Sequence, residues 1–382
     1  MKKALNILVR LGAGVLVGAL LGRLMIDDMF ALFDRGLDTT AVMLIVLVLM
    51  YLAYFVQIIF HEAGHMVFAL LSGYRFVSFR VLSFVWIKQD GRLRVKRFRI
   101  PGTLGQCLMD PPEMKDGKYP FMLYHMGGAI MDLIVFEVCA GVWYVLAWEY
   151  WMAGAGMIYL ASQAVWALAS ALRNGIPMKN KLVSNDGHNI LTMRGNPDAR
   201  RAMWIQMKFM AETAQGRLTT EMPEEWFEMP DDEQLQNSHV AWLALMILDR
   251  LFAEGKIQEA DALVKHLLEI PSGLSGVSRY GLVCERIFLE AIGENNPETL
   301  EALRTGEQLA AMKRMKTHLS VIRAEYAYAL LAKKNEWQAK QARKRFDEAG
   351  STNPYPQVVE SERKLMELAD RRYEELARER EE

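Results

Sequence analysis

The sequence of 382 residues has little cysteine and almost no net charge, and each shortage argues against a class of protein. Its three cysteines, Cys107, Cys139 and Cys284, lie far apart without a CxxC pair, which argues against a cysteine zinc site or a disulfide framework. A formal net charge of −1 gives no sign of nucleic-acid binding. Charge is also missing locally, because residues 39–60 contain no Asp, Glu, Lys or Arg. An uncharged apolar run of this length predicts a transmembrane helix.

Hydropathy divides the chain into two parts. Apolar runs dominate up to about Leu172, whereas the chain is rich in Glu, Lys, Arg and Ala from about Asp198 onward. This contrast predicts a mainly α-helical protein in which a membrane helix bundle precedes a soluble helical part. We expect a first transmembrane helix with its connecting loop at residues 1–38, a membrane core at 39–198 and a cytoplasmic helical-repeat domain at 199–382.

Four apolar segments are long enough to span a bilayer, at about residues 4–26, 39–71, 121–148 and 151–172. No convincing small-residue cleavage site precedes Asp27, so the first segment is interpreted as a transmembrane helix, and whether it is retained is left open. Six basic residues and one acidic residue lie between Lys88 and Arg99, which places that loop and both termini in the cytoplasm of a multi-pass protein of the cell membrane. Asp132 and Glu137, within the third span, should face the bundle interior.

Between the second and third spans the apolar runs give way to a more polar, alternating sequence. Residues 74–100 alternate apolar and basic side chains around Asp90–Gly91, which predicts a β-hairpin or small sheet. Residues 101–118 contain three prolines and several glycines and predict a loop.

The carboxy-terminal half predicts helix–turn–helix units with turns at Gly255, Gly293 and Asn335. The spacing of these turns resembles that of diverged tetratricopeptide-like repeats. A charged helix at 355–382 is suited to capping such an array. Because concave repeat surfaces often bind peptides, recruitment of a protein partner here is a hypothesis. The sequence gives no indication of the oligomeric state.

The stretch FHEAGH, residues 60–65, follows directly on the uncharged run. His61 and His65 are four residues apart, so a helix would project both imidazoles from one face, where they could bind one tetrahedral cation. Glu62 lies beside them, where it could take the proton of an attacking water. The alternative is two histidines that meet lipid headgroups at a helix end. Ionisable groups within an apolar helix are costly and usually functional, which favours the metal site.

A catalytic metal site of this kind needs a third protein ligand. The segment NGIPMKNKLVSNDGHNI, residues 174–190, offers Asp186 and His188, and Asp132 is a further possibility. Asp186 could instead cap the helix that begins there. The residues alone leave these alternatives open.

The HEAGH motif at the end of a transmembrane helix, the Gly-rich third span, Asn174-x-x-Pro177 and Asp186-Gly187 resemble motifs of the site-2 protease family. These are intramembrane zinc metalloproteases, and the resemblance covers about residues 40–195. It implies that His61, His65 and Asp186 bind Zn²⁺ and that Glu62 is the catalytic base. The family's Gly-Pro-x-x-Asn segment corresponds to residues 128–132, with Ala129 and Asp132 at the differing positions.

The predicted activity is therefore zinc-dependent hydrolysis of a peptide bond in or near a transmembrane segment of a membrane protein or peptide. Asn174 is a candidate for stabilising the oxyanion or holding unwound substrate. The alternative is a proteolytically inactive membrane scaffold whose repeat domain recruits protein partners. A transporter is less well supported, because the sequence shows no internal duplication of the kind that transporters commonly carry.

Overall fold

A computed structural model describes residues 25–89, 91–99, 103–149, 152–178 and 184–381. The first predicted span, residues 4–26, lies outside them apart from its last two positions. The chain packs into two compact units. Of the described residues, the first unit contains 25–72, 122–149, 152–178 and 185–187, and the second contains 73–89, 91–99, 103–121, 184 and 188–381. The predicted domain division followed hydropathy and stays a prediction; by packing, the sheet groups with the carboxy-terminal helices.

Three long apolar helices form most of the described first unit: α1 (Thr39–Leu71), α2 (Phe121–Glu149) and α3 (Ala155–Gly175). Residues 25–34 are also helical. Asp38 caps α1 by accepting a hydrogen bond of 2.8 Å from the Ala41 N–H. All three helices are long and apolar enough to cross a membrane, as predicted for these segments. The last of them begins at Ala155 rather than at Trp151.

Helices α1 and α3 share an apolar cluster as well as polar contacts, whereas α1 and α2 meet backbone to backbone. Val42, Ile158 and Val165 belong to one buried cluster. A Cβ atom on Gly127 would lie 2.7 Å from the carbonyl oxygen of Gly64, so the two helices approach more closely than any side chain would permit. This contact brings α2 against the turn of α1 that carries the HEAGH motif.

The second unit begins with a four-stranded antiparallel sheet of β1 (Arg75–Val81), β2 (Phe84–Gln89), β3 (Arg92–Arg97) and β4 (Gly105–Asp110), in the order β3-β2-β1-β4. Gln89 pairs with Arg92, which confirms the predicted hairpin. The loop predicted at 101–118 was wrong over β4. Because Cys107 to Met109 are buried and pair with β1, tertiary packing overrides the surrounding glycines and prolines.

One face of the sheet packs on a helix of the same unit. Val85, Ile87 and Leu108 form a buried cluster with Ala211 and Ala214. The last two lie on α5 (Pro197–Ala214), which follows the short helix α4 (Asp186–Met193). The small alanine side chains permit close contact between the helix and the sheet.

Breaks between the remaining helices fall at the predicted turns, near Gly255, Gly293 and Asn335. These helices are α6 (Ser238–Ala253), α7 (Ile257–Glu269), α8 (Gly276–Ile292), α9 (Pro297–Leu303), α10 (Gly306–Arg314), α11 (Leu319–Ala327), α12 (Glu336–Thr352) and α13 (Pro356–Glu381), and three short 3-10 turns precede α6. A π-helical turn, Tyr328–Ala332, continues α11. The middle pair departs from expectation, since two short helices, α9 and α10, replace the single second helix. The tetratricopeptide-like character of the array stays a prediction.

Candidate metal centre

Helix α1 places His61 and His65 on the same side, one turn apart. Their Nε2 atoms are 3.3 Å from each other. Both side chains are largely buried, with 12% of His61 and 9% of His65 exposed. The predicted consequence of the four-residue spacing is therefore present: two imidazole nitrogens converge on one point.

Asp186 completes a triangle with these two nitrogens. Its Oδ2 atom lies 3.4 Å from the Nε2 atom of His61 and 3.4 Å from that of His65. Among the described residues, these are the only His, Cys, Asp or Glu side chains that bring three ligand atoms within 4.8 Å of one another. The structure thus brings together the three residues that the resemblance implied, whereas His188 and Asp132 are not in this group.

The triangle matches the spacing that a tetrahedral zinc ion requires. Zinc bonds of about 2.0–2.1 Å at tetrahedral angles place neighbouring ligand atoms about 3.3–3.4 Å apart. The three observed distances lie between 3.3 and 3.4 Å. The donor set of two imidazoles and one carboxylate is also one that zinc uses in catalytic sites. These residues fit the metal that the resemblance implies.

The other nitrogen of each imidazole is held by a hydrogen-bond acceptor. His61 Nδ1 lies 2.8 Å from Asp132 Oδ2, and His65 Nδ1 lies 2.7 Å from the carbonyl oxygen of Tyr124. Because a carbonyl or a carboxylate accepts, each Nδ1 carries the proton and each Nε2 presents its lone pair to the triangle. Asp132 therefore contacts a candidate ligand from behind and does not point at the metal position.

Asp186 is held in its charged form. Burial alone would raise the pKa of its carboxyl, but attraction to His65 and hydrogen bonds from both imidazoles outweigh it when the imidazoles also carry Nε2 protons, so its pKa then lies below the ordinary value; a bound metal would replace those protons. A carboxylate is the form that binds a metal.

Asn185 holds the start of α4, where Asp186 lies, and this role was not predicted from the sequence. Its Nδ2 donates to the carbonyl oxygens of Arg173 and Ile176, each at 2.6 Å, and its Oδ1 accepts from the N–H of Met178 at 2.9 Å. One side chain thus ties the start of α4 to the end of α3 through three backbone groups. The available signal was an asparagine directly before Asp-Gly, because asparagine commonly bonds to nearby backbone groups.

Gly128 forms one wall of the triangle. A Cβ atom there would lie 2.5 Å from His61 Cε1 and 2.7 Å from each of the two Nε2 atoms. Side chains do not approach each other this closely, so only glycine leaves room for both imidazoles beside α2. The glycine in the third span therefore serves the candidate metal centre itself.

Two predicted site residues remain, Glu62 as the catalytic base and Asn174 as a group that contacts the substrate. Glu62 lies between the two histidines in sequence on α1 and is buried, with 9% of its surface exposed. Asn174, near the end of α3, donates from Nδ2 to Ser170 Oγ at 3.3 Å. Its role toward a substrate stays a prediction.

Of the two carboxyl groups expected inside the bundle, the structure buries one. Asp132 is fully buried, as predicted, but Glu137 is exposed, so that prediction was wrong. Residues 132 and 137 are five positions apart, which is about 140° around an α-helix, so one helix face cannot hold both.

Comparisons with known proteins found no matching family model, no similar curated protein and no similar solved structure.

Proposed function

We propose that the protein is an intramembrane zinc metalloendopeptidase of the site-2 protease type, which hydrolyses a peptide bond in or near a transmembrane segment. The observation that carries the proposal is the triangle of His61, His65 and Asp186, whose edges of 3.3–3.4 Å fit tetrahedral zinc. The position of His61 and His65 on a helix long and apolar enough to cross a membrane supports a substrate within the bilayer.

The chemistry follows from the side chains around the triangle. His61, His65 and Asp186 would hold the ion, and three protein ligands are the number that catalytic zinc sites use. A bound zinc ion lowers the pKa of water and polarises a peptide carbonyl. Glu62 accepts the proton of the attacking water and passes it to the leaving amine.

The substrate must present an extended peptide bond, because the carbonyl and N–H groups of a helix are already paired within it. In this proposal Asn174 holds the unwound segment or stabilises the oxyanion. The protein spans the cell membrane several times with both termini in the cytoplasm, and its carboxy-terminal helices recruit a protein partner.

The test compares Glu62→Gln with Glu137→Gln, the same chemical change at an exposed position of α2. Purified protein is reconstituted in liposomes with candidate single-span peptides, bound zinc is measured by mass spectrometry, and cleavage products are sequenced. We expect Glu62→Gln to keep its zinc and to lose cleavage by at least about 100-fold, the lower end of general-base contributions. Glu137→Gln should cleave like the wild type.

Two results would count against the proposal. Cleavage by Glu62→Gln at the wild-type rate would refute the assigned base. A zinc-loaded wild type that cleaves none of the candidate peptides, yet captures an intact membrane protein through its carboxy-terminal helices, would favour the inactive scaffold.

A further inference from the structure

Three polar side chains, one from each long apolar helix, form a buried chain that ends at His61. They are Gln57 on α1, Asp132 on α2 and Gln163 on α3, with exposed fractions of 3%, 0% and 1%. Burying polar groups in membrane-length helices is costly unless they are hydrogen-bonded to one another. Because burying these three polar groups is unfavourable and they lead to a candidate metal ligand, we looked to the metal centre for their function.

The direction of the hydrogen bonds in this chain is determined by the carboxylate. Gln163 Nε2 donates to Gln57 Oε1 at 2.6 Å, and Gln57 Nε2 donates to Asp132 Oδ1 at 2.6 Å. Turning the Gln57 amide over would place its oxygen against a carboxylate oxygen, two acceptors without a proton between them. Asp132 Oδ2 is then left to accept from the Nδ1–H of His61 at 2.8 Å.

This order of hydrogen bonds leaves one polar atom without a partner, at the end furthest from His61. Gln163 Oε1 is buried and has no hydrogen-bond partner among the described residues. An orphaned buried acceptor is unfavourable by about 1–3 kcal/mol. The amide keeps this orientation because the opposite one would break its bond to Gln57.

The two histidines are thus oriented in different ways. His65 Nδ1 bonds to the backbone carbonyl of Tyr124, which no side-chain substitution removes. His61 Nδ1 bonds to a side chain, and that side chain is held by two others from neighbouring helices. The orientation of the His61 ring therefore depends on the packing of all three helices, including α3, which contributes no member of the triangle.

We propose that Asp132 is the positioning residue of the metal centre and that Gln57 and Gln163 hold it in place. This inference rests on the proposed function only in that His61 is a zinc ligand. Asp132 fixes the His61 ring in the tautomer whose Nε2 lone pair faces the metal position, and the two glutamines fix the carboxylate. Loss of any member should weaken metal binding, in the order Asp132, Gln57, Gln163, according to its distance along the chain from His61.

The experiment measures zinc affinity by chelator competition, and the visible absorption of the cobalt(II) form, on the full chain purified in detergent. The variants are Asp132→Ala, Asp132→Asn, Gln57→Met and Gln163→Met. Ser162→Ala is the matched control, because Ser162 neighbours Gln163 on α3, is buried, and donates to the Ile158 carbonyl of its own helix. Circular dichroism and gel filtration confirm that each variant is folded.

We expect Asp132→Ala to bind zinc about 10- to 100-fold more weakly than the wild type, the usual effect of removing the partner of a ligating histidine. Asp132→Asn should lose less, because its Oδ1 can still accept from His61 Nδ1–H while both glutamine amides turn over. Gln57→Met should weaken binding by a smaller factor than Asp132→Ala, and Ser162→Ala should not change it. The cobalt spectrum should shift in Asp132→Ala and in Gln57→Met, since the geometry at the metal changes.

Zinc affinity and cobalt spectra identical to wild type in Asp132→Asn and Gln57→Met would overturn the inference, even if Asp132→Ala proved too unstable to purify. A folded wild type that binds no zinc is a different result, because it would refute the proposed metal centre itself.

Discussion

Gly128→Ala is the substitution for which the structure predicts the sharpest effect on the metal centre. The added Cβ would lie 2.5 Å from His61 Cε1, whereas ordinary contacts begin at 3.4 Å. The His61 ring or helix α2 would have to move by about 0.9 Å. Metal–ligand distances tolerate about 0.2 Å, so at least one imidazole would leave the coordination sphere.

We expect this variant to lose at least about 100-fold in zinc affinity, which corresponds to about 2.7 kcal/mol of binding free energy. The helix itself should not suffer, because alanine favours helix more than glycine does. Gly141→Ala is the matched control on the same helix, since a Cβ atom at Gly141 would meet nothing within 4 Å. Zinc is measured per folded protein after chelator competition.

The outcome depends on the difference between the two alanine variants. Weak zinc binding in Gly128→Ala alone, with helix content equal to that of Gly141→Ala, would support the reasoning. If Gly128→Ala kept wild-type zinc affinity, then the two histidine Nε2 atoms would not be confined against α2 and the triangle could not be the metal centre as described.

Two further predictions concern the Asn185 side chain beside Asp186 and a buried histidine of the second unit. Asn185→Ala removes three hydrogen bonds, so we expect at least tenfold weaker zinc binding by chelator competition, with Asn189→Ala as control. Unchanged affinity would show that Asp186 is held in place without the Asn185 side chain. Burial lowers the pKa of His239 to about 4 from 6.5, so the folded form resists protonation, and stability should fall by up to about 3 kcal/mol between pH 6.5 and 4. In thermal denaturation His239→Gln should lose most of this pH-dependent fall, and an equal fall in both proteins would contradict the assignment.

Much of the fold could be predicted from local sequence patterns. The apolar runs at 39–71 and 121–148 are helices with nearly the predicted ends, and Asp90–Gly91 marks the hairpin between β2 and β3. These features depend on neighbours in sequence, through side-chain periodicity and turn chemistry. Strand β4 was missed because its hydrogen-bond partner is β1, about 30 residues earlier, and the short run between glycines and prolines gave no periodic signal.

In the candidate site, too, only the residues that are close in sequence could be placed relative to each other. His61 and His65 could be paired from sequence because four residues on a helix determine their relative positions. No such rule connects them to Asp186 or to Asp132, since those residues come from other segments. The resemblance to the site-2 protease family pointed to Asp186, but the residues themselves left His188, and as a third possibility Asp132, open as alternatives.

The sequence by itself therefore determined the helix that carries the motif, the convergence of two imidazoles and the acid beside them. The tertiary structure decided which carboxylate faces those imidazoles and which lies behind them. The physical reason is that a ligand triangle with edges of 3.3–3.4 Å depends on how the helices pack. The glycine contact sets the distance between α1 and α2, and the hydrogen bonds of Asn185 tie Asp186 to the end of α3. Spacing along one helix is encoded locally, whereas distance between helices is not.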